Sequence, residues 1–177
     1  MTSPTAPELI RPATDADLQA IHAVHVEAFG GRPAEAHLVD LLHAAGKARP
    51  SLVATINEQV VAHVTFSPVD LVGTPHPVHI LGLAPLAVRP AHQRRGIGSR
   101  LAQAGLDACR ADHCDAVVVL GDPAFYGRFG FRPARALCFT NEYVDDDDFM
   151  ILELLIGSLS GLVGLLKYAP EFRDAGC

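Results

Sequence analysis

Basic residues are scarce in this sequence. It has 14 Lys and Arg against 20 Asp and Glu, which gives a formal net charge of −6. Non-specific affinity for a phosphate backbone comes from Lys and Arg, so we expect no nucleic-acid partner. Cysteine is scarce as well, and four unevenly spaced Cys residues do not form the disulfide framework of a small secreted protein. The N-terminus also lacks a basic and apolar leader pattern, and these absences together predict a reduced, cytoplasmic protein.

A long unbroken apolar run is also missing. Residues 149–166 are mostly apolar and have about the length of a membrane span, but Glu153 and the Gly and Ser residues of 157–161 interrupt them. A charged side chain in mid-span is costly, and the Gly-Ser composition is typical of a loop. The stretch therefore predicts a strand, a turn and a second apolar element, and we expect no membrane partner.

The overall composition is that of a globular chain. Hydrophobic residues make up 49% of the 177 residues and charged residues 19%. A chain of this length can bury enough surface to fold without a disulfide or a metal ion. No linker or internal repeat divides it, so we predict one domain over residues 1–177, of which residues 1–7 form a flexible N-terminal tail.

Hydrophobic periodicity predicts the elements of the first half. Apolar residues recur at steps of three and four over residues 18–29 and again over 38–42, which predicts two amphipathic helices after a short extended segment. Residues 51–66 contain two β-branched runs around a polar turn, a pattern typical of a β-hairpin.

The second half alternates strands and helices. The sequence predicts a strand over residues 79–88. Pro85 predicts a distortion in that strand, because proline cannot donate a ladder hydrogen bond. A helix over about 98–112 and an apolar central strand over 116–120 follow. With a short helix and two final strands, over residues 131–139 and 149–156, the predicted order is β-α-α-β-β-β-α-β-α-β-β.

A loop rich in Gly and Arg lies between the strand that ends near residue 88 and the helix that follows. Backbone N–H groups at a helix N-terminus lack an intrahelical partner, and glycines let an anion approach them. Four Arg and no acid fall between residues 89 and 100, so the local charge is opposite to that of the chain. The pattern predicts a phosphate cradle formed by Gln93, Arg94, Arg95, Gly96, Ile97, Gly98 and Ser99.

Two common phosphate motifs do not fit this loop. A nucleotide-hydrolysing P-loop needs a Lys after its last Gly, and the only lysines of the chain are Lys47 and Lys167. The dinucleotide-binding fingerprint needs a third Gly where Leu101 stands, and no βαβ unit precedes it. Both classes are therefore excluded.

The remaining pattern, Q/R-x-x-G-x-G/A, resembles the loop with which the GNAT acyltransferase superfamily binds the pyrophosphate of coenzyme A. Residues 126–131 match the family's Y-x-[KR]-x-G-F signature, and matching extends over about residues 83–131. Residues 121–126 are similar to a bacterial subgroup of predicted N-acetyltransferases. The resemblance implies an α/β fold in the order given above, with a mixed, mostly antiparallel sheet flanked by helices.

The resemblance also implies a function, the direct transfer of the acetyl group of acetyl-CoA to a primary amine within a ternary complex. The main chain of Leu86, Ala87 and Val88 would pair with the pantetheine arm, and the pyrophosphate would lie over the cradle. Tyr126 stands where the family carries its general acid for the departing thiolate. The acceptor would be a small-molecule or peptide amine. A coenzyme A-binding sensor or partner-binding module without turnover is the alternative, and a homodimer is compatible with either.

The general base is not settled by the sequence. Many members of the family carry a Glu on the fourth strand, but residues 80–85 contain no acid. Glu27, His25 and His79 are candidates, and a chain of water molecules is an equal alternative.

Two histidine pairs, His22 with His25 and His76 with His79, superficially suggest a metal site. Two His three residues apart do not hold a metal without further ligands, and no Cys or acid stands at ligand spacing from either pair. We therefore expect no metal cofactor.

One run of charge remains, formed by Asp145, Asp146, Asp147 and Asp148. Such runs are mostly solvated turns. The alternative is that this loop borders the acceptor site and attracts a cationic amine.

Overall fold

The structure, a computed structural model, describes residues 8–143 and 147–177. Within them the strands are β1 Leu9–Pro12, β2 Ser51–Ile56, β3 Gln59–Val72, β4 Ile80–Val88, β5 Ala116–Leu120, β6 Arg132–Pro133, β7 Phe139–Asn141, β8 Phe149–Glu153 and β9 Gly164–Tyr168. The helices are α1 Leu18–Ala28, α2 Ala34–Ala44, α3 Ile97–Ala111, α4 Pro123–Tyr126 and α5 Pro170–Ala175. The predicted tail, residues 1–7, lies outside the described residues.

The strands form one sheet in the order β1-β2-β3-β4-β5-β8-β6, and β9 joins the far half of β3 while β7 pairs with β9. All of these neighbours are antiparallel except β4 with β5 and β7 with β9. The predicted fold class, a mixed and mostly antiparallel sheet flanked by helices, is confirmed.

The C-terminal part has more elements than the predicted order. Residues 131–139 do not form one strand, because the 3-10 turn Ala134–Leu137 separates β6 from β7 and Cys138 takes a left-handed conformation with φ of 63°. The strands β6 and β7 have two and three residues, which is too short to show a hydrophobic periodicity. The sequence therefore predicts one strand where there are two. The stretch 149–166 is β8, a series of turns and the start of β9, as expected. In the part of the chain that the structure describes, no helix is long and apolar enough to cross a membrane.

Strands β4 and β5 pair over only the first three residues of β4. Their parallel ladder ends at Gly82 opposite Val118, although β4 continues to residue 88. On its other side β4 pairs with β3, where Ala84 and Pro85 together face Thr65 in a bulge. The predicted distortion at Pro85 is therefore confirmed, and the second half of β4 has a free main-chain edge on the side of β5.

Helices cover both faces of the sheet. α3 buries Leu101 and Leu106 against the face that carries Phe66, Leu81 and Val117. On the opposite face α1 packs over Val53 and Ala87, and α2 and α5 cover the sheet beside it. Side chains alternate along β4, so Leu86 and Val88 face the α3 side while Ala87 faces α1.

Candidate active site

The loop before α3 has the backbone geometry that the sequence predicts for an anion site. Gly96 precedes the helix with φ of 79°, and Arg94 is also left-handed with φ of 59°. The first intrahelical bond runs from Arg100 N–H to the Gly96 carbonyl at 3.0 Å. The N–H groups of the first turn, from Ile97 to Ser99, therefore have no carbonyl partner within the helix.

A cavity of about 510 Å³ opens over this loop, and we call it the loop cavity. Among its lining residues are eight that the sequence predicts as binding residues, namely Leu86, Val88, Gln93, Arg94, Gly96, Ile97, Gly98 and Ser99. Two predicted residues do not line it. The Ala87 side chain is buried under α1, and Arg95 is exposed outside the cavity.

The four arginines near the loop divide into two kinds. Arg89 pairs with Glu27 at 2.7 Å, and Arg100 pairs with Glu8 at 3.0 Å through its Nε. Arg94 and Arg95 have no acidic partner among residues 8–143 and 147–177. The uncompensated positive charge is thus concentrated on the loop itself.

Three lining residues of the loop cavity were not assigned to it from the sequence: His92, Phe125 and Arg128. The Arg128 guanidinium lies over the Phe125 ring, 4.7 Å from its centroid, and donates to Ser99 Oγ at 3.3 Å. His92 Nδ1 is buried without a hydrogen-bond partner among the described residues. Arg128 belongs to the Y-x-[KR]-x-G-F signature, whose basic position is the signal that could have identified it.

A second cavity of about 520 Å³ adjoins the first and shares Leu86 of β4 with it. All three tyrosines of the chain, Tyr126, Tyr143 and Tyr168, line it, and we call it the tyrosine cavity. Residues 83–86, at and beside the β4 bulge, form one wall. The two cavities therefore meet where β4 separates from β5.

Tyr126 lies at the end of α4, a single turn that Asp122 caps by accepting the Ala124 N–H at 2.8 Å. Its ring packs edge-on to Phe131, with centroids 5.7 Å apart, and lies against Gly121, where a Cβ would be 2.5 Å from the ring. Burial raises the pKa of Tyr126 to about 12. The hydroxyl has no hydrogen-bond partner among the described residues, so it is a protonated donor free to bind a ligand.

The predicted base candidates lie outside the tyrosine cavity. His25 is fully buried, with its Nε2 2.8 Å from His63 Nδ1, and burial lowers its pKa to about 3. Glu27 is engaged with Arg89. His79 precedes β4, and its backbone N–H donates to the Asp115 carboxylate at 2.8 Å.

Two acids that the sequence did not single out line this cavity, Asp122, which caps α4, and Glu35. Glu35 lies in the first turn of α2, and its Oε2 atom is buried with no hydrogen-bond partner among the described residues. A lone Glu near the start of a helix is ordinarily explained by the helix dipole, so no spacing or motif could have pointed to it.

Half of the Asp run can be placed. Asp147 pairs with Arg135 at 2.7 Å, and the Asp148 carbonyl accepts the Gly121 N–H at 2.9 Å. Asp145 and Asp146 lie outside the described residues. Within residues 8–143 and 147–177, no three His, Cys, Asp or Glu side chains are grouped so that they could hold a metal ion.

The family model described as an acetyltransferase (GNAT) domain matches residues 9–134. The chain belongs to the GNAT family of acetyltransferases. The family expected from the loop and from the Tyr126 signature is confirmed, and with it the assignment as an acetyltransferase. The matched range includes the loop, β4 and Tyr126.

Two relatives of this GNAT chain in Escherichia coli K12 carry the name uncharacterized N-acetyltransferase. YhbS is 37% identical over 167 residues, which cover 93% of this chain and 98% of YhbS. YjhQ is 38% identical over 119 residues, which cover 66% of this chain and 65% of YjhQ.

Two solved structures support the assignment to the GNAT family. The crystal structure of the GNAT family N-acetyltransferase YhbS from Escherichia coli, in complex with CoA, superposes with a TM-score of 0.89 at 36% identity over 98% of this chain and 96% of that one. A GNAT family acetyltransferase from Brucella melitensis in complex with acetyl-CoA gives a TM-score of 0.79 at 31% identity, over 94% of this chain and 98% of that one.

Proposed function

We propose that this protein transfers the acetyl group of acetyl-CoA directly to a primary amine within a ternary complex. The observation that carries the proposal is the meeting of two cavities at Leu86, one with an anion-binding loop and one with a free tyrosine hydroxyl. Two substrates bound in adjoining cavities can react with each other without a covalent intermediate on the protein. The relatives in complex with CoA and acetyl-CoA support the choice of donor.

The loop residues fit the pyrophosphate of coenzyme A. The first-turn N–H groups of α3 and the guanidinium groups of Arg94 and Arg128 supply donors and positive charge. Gly98 leaves the main chain open to a ligand, since a Cβ there would meet only Val88 within 4 Å. These groups hold the nucleotide end in one orientation.

The free edge of β4 fits the pantetheine arm. Beyond Gly82 the ladder with β5 has ended, so main-chain groups of residues 86–88 on that side are available to an extended ligand, except the Val88 carbonyl, which accepts from Gln93 Nε2 at 2.9 Å. Acetyl-CoA supplies an activated thioester carbonyl. Main-chain N–H groups near the bulge at Pro85 would stabilise the negative charge that develops on the carbonyl oxygen.

Tyr126 serves the departing thiolate as a hydrogen-bond donor. Its pKa of about 12 lies well above the value of about 8.5 for a free thiol, so complete proton transfer to the thiolate would be uphill by roughly 5 kcal/mol. Donation of a hydrogen bond carries no such cost. We therefore assign Tyr126 to stabilising the thiolate rather than to protonating it fully.

The nucleophile is a small-molecule or peptide amine bound in the tyrosine cavity. The acceptor first loses its ammonium proton to water. The neutral nitrogen then forms a bond to the acetyl carbon, the carbon–sulfur bond breaks, coenzyme A leaves as the thiolate that Tyr126 stabilises, and the remaining proton on the nitrogen passes to water. We also propose that the protein acts in the cytoplasm, as the sequence predicts.

The test is a turnover assay on the purified protein. Incubation with acetyl-CoA and a panel of primary amines should release free thiol at a rate that depends on the amine. A protein that binds coenzyme A by calorimetry, yet releases no thiol above the hydrolysis background with any amine, would instead be the sensor or partner-binding module.

A further inference from the structure

We propose that Glu35 and Tyr168 form an ammonium site in the tyrosine cavity, and that the acceptor is a primary amine on an apolar, aromatic-sized body. This rests on the proposed function, because it names the class of amine that the transfer would use. Two polar groups without hydrogen-bond partners in one cavity support the proposal, as do the aromatic, apolar and charged side chains that line the cavity around them.

The first observation is the state of Glu35. Its Oε2 atom is buried, and no donor among the described residues reaches it. A buried carboxylate oxygen without a donor is unfavourable unless a cation or hydrogen-bond donor arrives. The ammonium group of an acceptor supplies both.

The second observation is Tyr168, at the end of β9. Its side chain is 8% exposed, and its hydroxyl is buried with no hydrogen-bond partner among the described residues. The ring lies against Gly82 of β4, where a Cβ would overlap it, so it sits at the point where β4 and β5 separate. A hydroxyl in that position can accept a hydrogen bond from an amine close to the transfer point.

The rings around Tyr168 favour a cation. Phe172 lies 4.5 Å from Tyr168 between ring centroids, and Tyr143 lies 5.8 Å away in an edge-on arrangement. Both also line the cavity. Aromatic faces attract an ammonium group through the ring quadrupole, and the attraction grows when water is excluded.

The remaining walls define the body of the acceptor. β4 contributes only apolar side chains to the cavity, and Leu38 and Leu120 extend that surface. Side chains of this kind suit an apolar group such as a phenyl ring.

The charged side chains that line the cavity favour a cationic acceptor. Asp122 lines the cavity but its carboxylate already caps α4. Arg32 lines the cavity, and its Nε donates to the Phe29 carbonyl at 3.2 Å. Glu35 and Asp122 together outnumber the one guanidinium among these lining residues, so the local charge attracts an ammonium group.

The experiment uses 2-phenylethylamine as the singly charged apolar probe, spermidine as the polycation and phenylalanine as the zwitterion. Binding of each probe to the CoA-saturated protein is measured by calorimetry, and thiol release from acetyl-CoA is measured in parallel. We expect 2-phenylethylamine to bind best, and Glu35→Gln to weaken its binding and raise its KM by at least about tenfold, the scale of one charge-assisted contact.

Asp40→Asn is the matched control, because it removes a carboxylate from the exposed face of the same helix, where Asp40 pairs with His22. It should leave the KM unchanged. Tyr168→Phe is a second variant that keeps the ring, and it should weaken amine binding without lowering the melting temperature, since the hydroxyl has no partner to lose.

The outcomes separate the two proposals. Equal amine affinity in the wild type, Glu35→Gln and Tyr168→Phe would overturn the ammonium site, as would a preference for spermidine or phenylalanine. Amine binding that depends on Glu35 without any thiol release would uphold the ammonium site and overturn the transferase proposal. Coenzyme A affinity should be unchanged in every variant.

Discussion

Replacing Tyr126 with Phe removes one hydroxyl and keeps the ring that packs on Gly121 and Phe131. If the hydroxyl donates to the departing thiolate, the variant loses a hydrogen bond to a charged acceptor, about 1.5–3 kcal/mol. That corresponds to a fall of roughly 10–150-fold in kcat. Complete proton transfer would give about 10²–10⁴-fold, but the high pKa of Tyr126 favours the smaller effect.

Stability separates catalysis from packing at this position. The Tyr126 hydroxyl has no hydrogen-bond partner among the described residues, so its removal should leave the melting temperature near that of the wild type. A hydroxyl that bonded within the protein would instead be worth about 0.5–1.5 kcal/mol of the free energy of unfolding. Coenzyme A affinity should barely change, since the interaction forms chiefly in the transition state.

The assay follows thiol release at saturating acetyl-CoA, with the melting temperature measured on the same preparation. Tyr143→Phe is the control, because Tyr143 lines the same cavity with a half-exposed side chain. It should keep nearly wild-type kcat. Wild-type turnover in Tyr126→Phe would refute the assignment of the hydroxyl to the thiolate, while the coenzyme A site would be unaffected.

Three further predictions concern the loop and the first helix. Gly98→Glu should fold normally, because the φ of Gly98 is not positive and a Cβ there would make one ordinary contact. The carboxylate should lower coenzyme A affinity by about 100-fold or more in calorimetry, and the uncharged control Gly98→Gln should lower it less. Equal affinities in the wild type and Gly98→Glu would contradict the phosphate cradle. Arg94→Ala should weaken binding about tenfold and flatten its salt dependence, whereas Arg95→Ala, outside the cavity, should do less. The Arg11 guanidinium lowers the pKa of Asp17, so Asp17 contributes stability above the ordinary carboxyl pKa of about 3.9 that is lost as the pH falls towards its native value. In urea titrations the stability difference between wild type and Asp17→Asn should therefore shrink below about pH 4, and a constant difference would count against the ion pair.

The parts of the site that could be predicted are those encoded by neighbouring residues. The loop around Gly96 and Gly98 is one turn of chain, so its left-handed residue and free N–H groups follow from the local sequence. The bulge opposite Thr65 follows from Pro85, which cannot complete a ladder.

The parts that could not be predicted depend on tertiary contacts between distant residues. Glu35 from α2 and Tyr168 from β9 lie far apart in the sequence, yet both line the tyrosine cavity. The pairing of β9 with the last four residues of β3 positions Tyr168, and no sequence spacing encodes that arrangement. His25 falls on the apolar stripe of its helix, so the periodicity predicts that it turns inward, but the periodicity could not show that it contacts His63 of β3.

The central claim is direct acetyl transfer to an amine, and the most direct test follows the acetyl group itself. The protein is incubated with acetyl-CoA bearing an isotopically labelled acetyl group and with 2-phenylethylamine, and both the small molecules and the intact protein are analysed by mass spectrometry. Our account predicts labelled N-acetyl product, no acetylated protein intermediate, and loss of product in Gly98→Glu. Label that remains on coenzyme A, or that accumulates on the protein before reaching the amine, would contradict it.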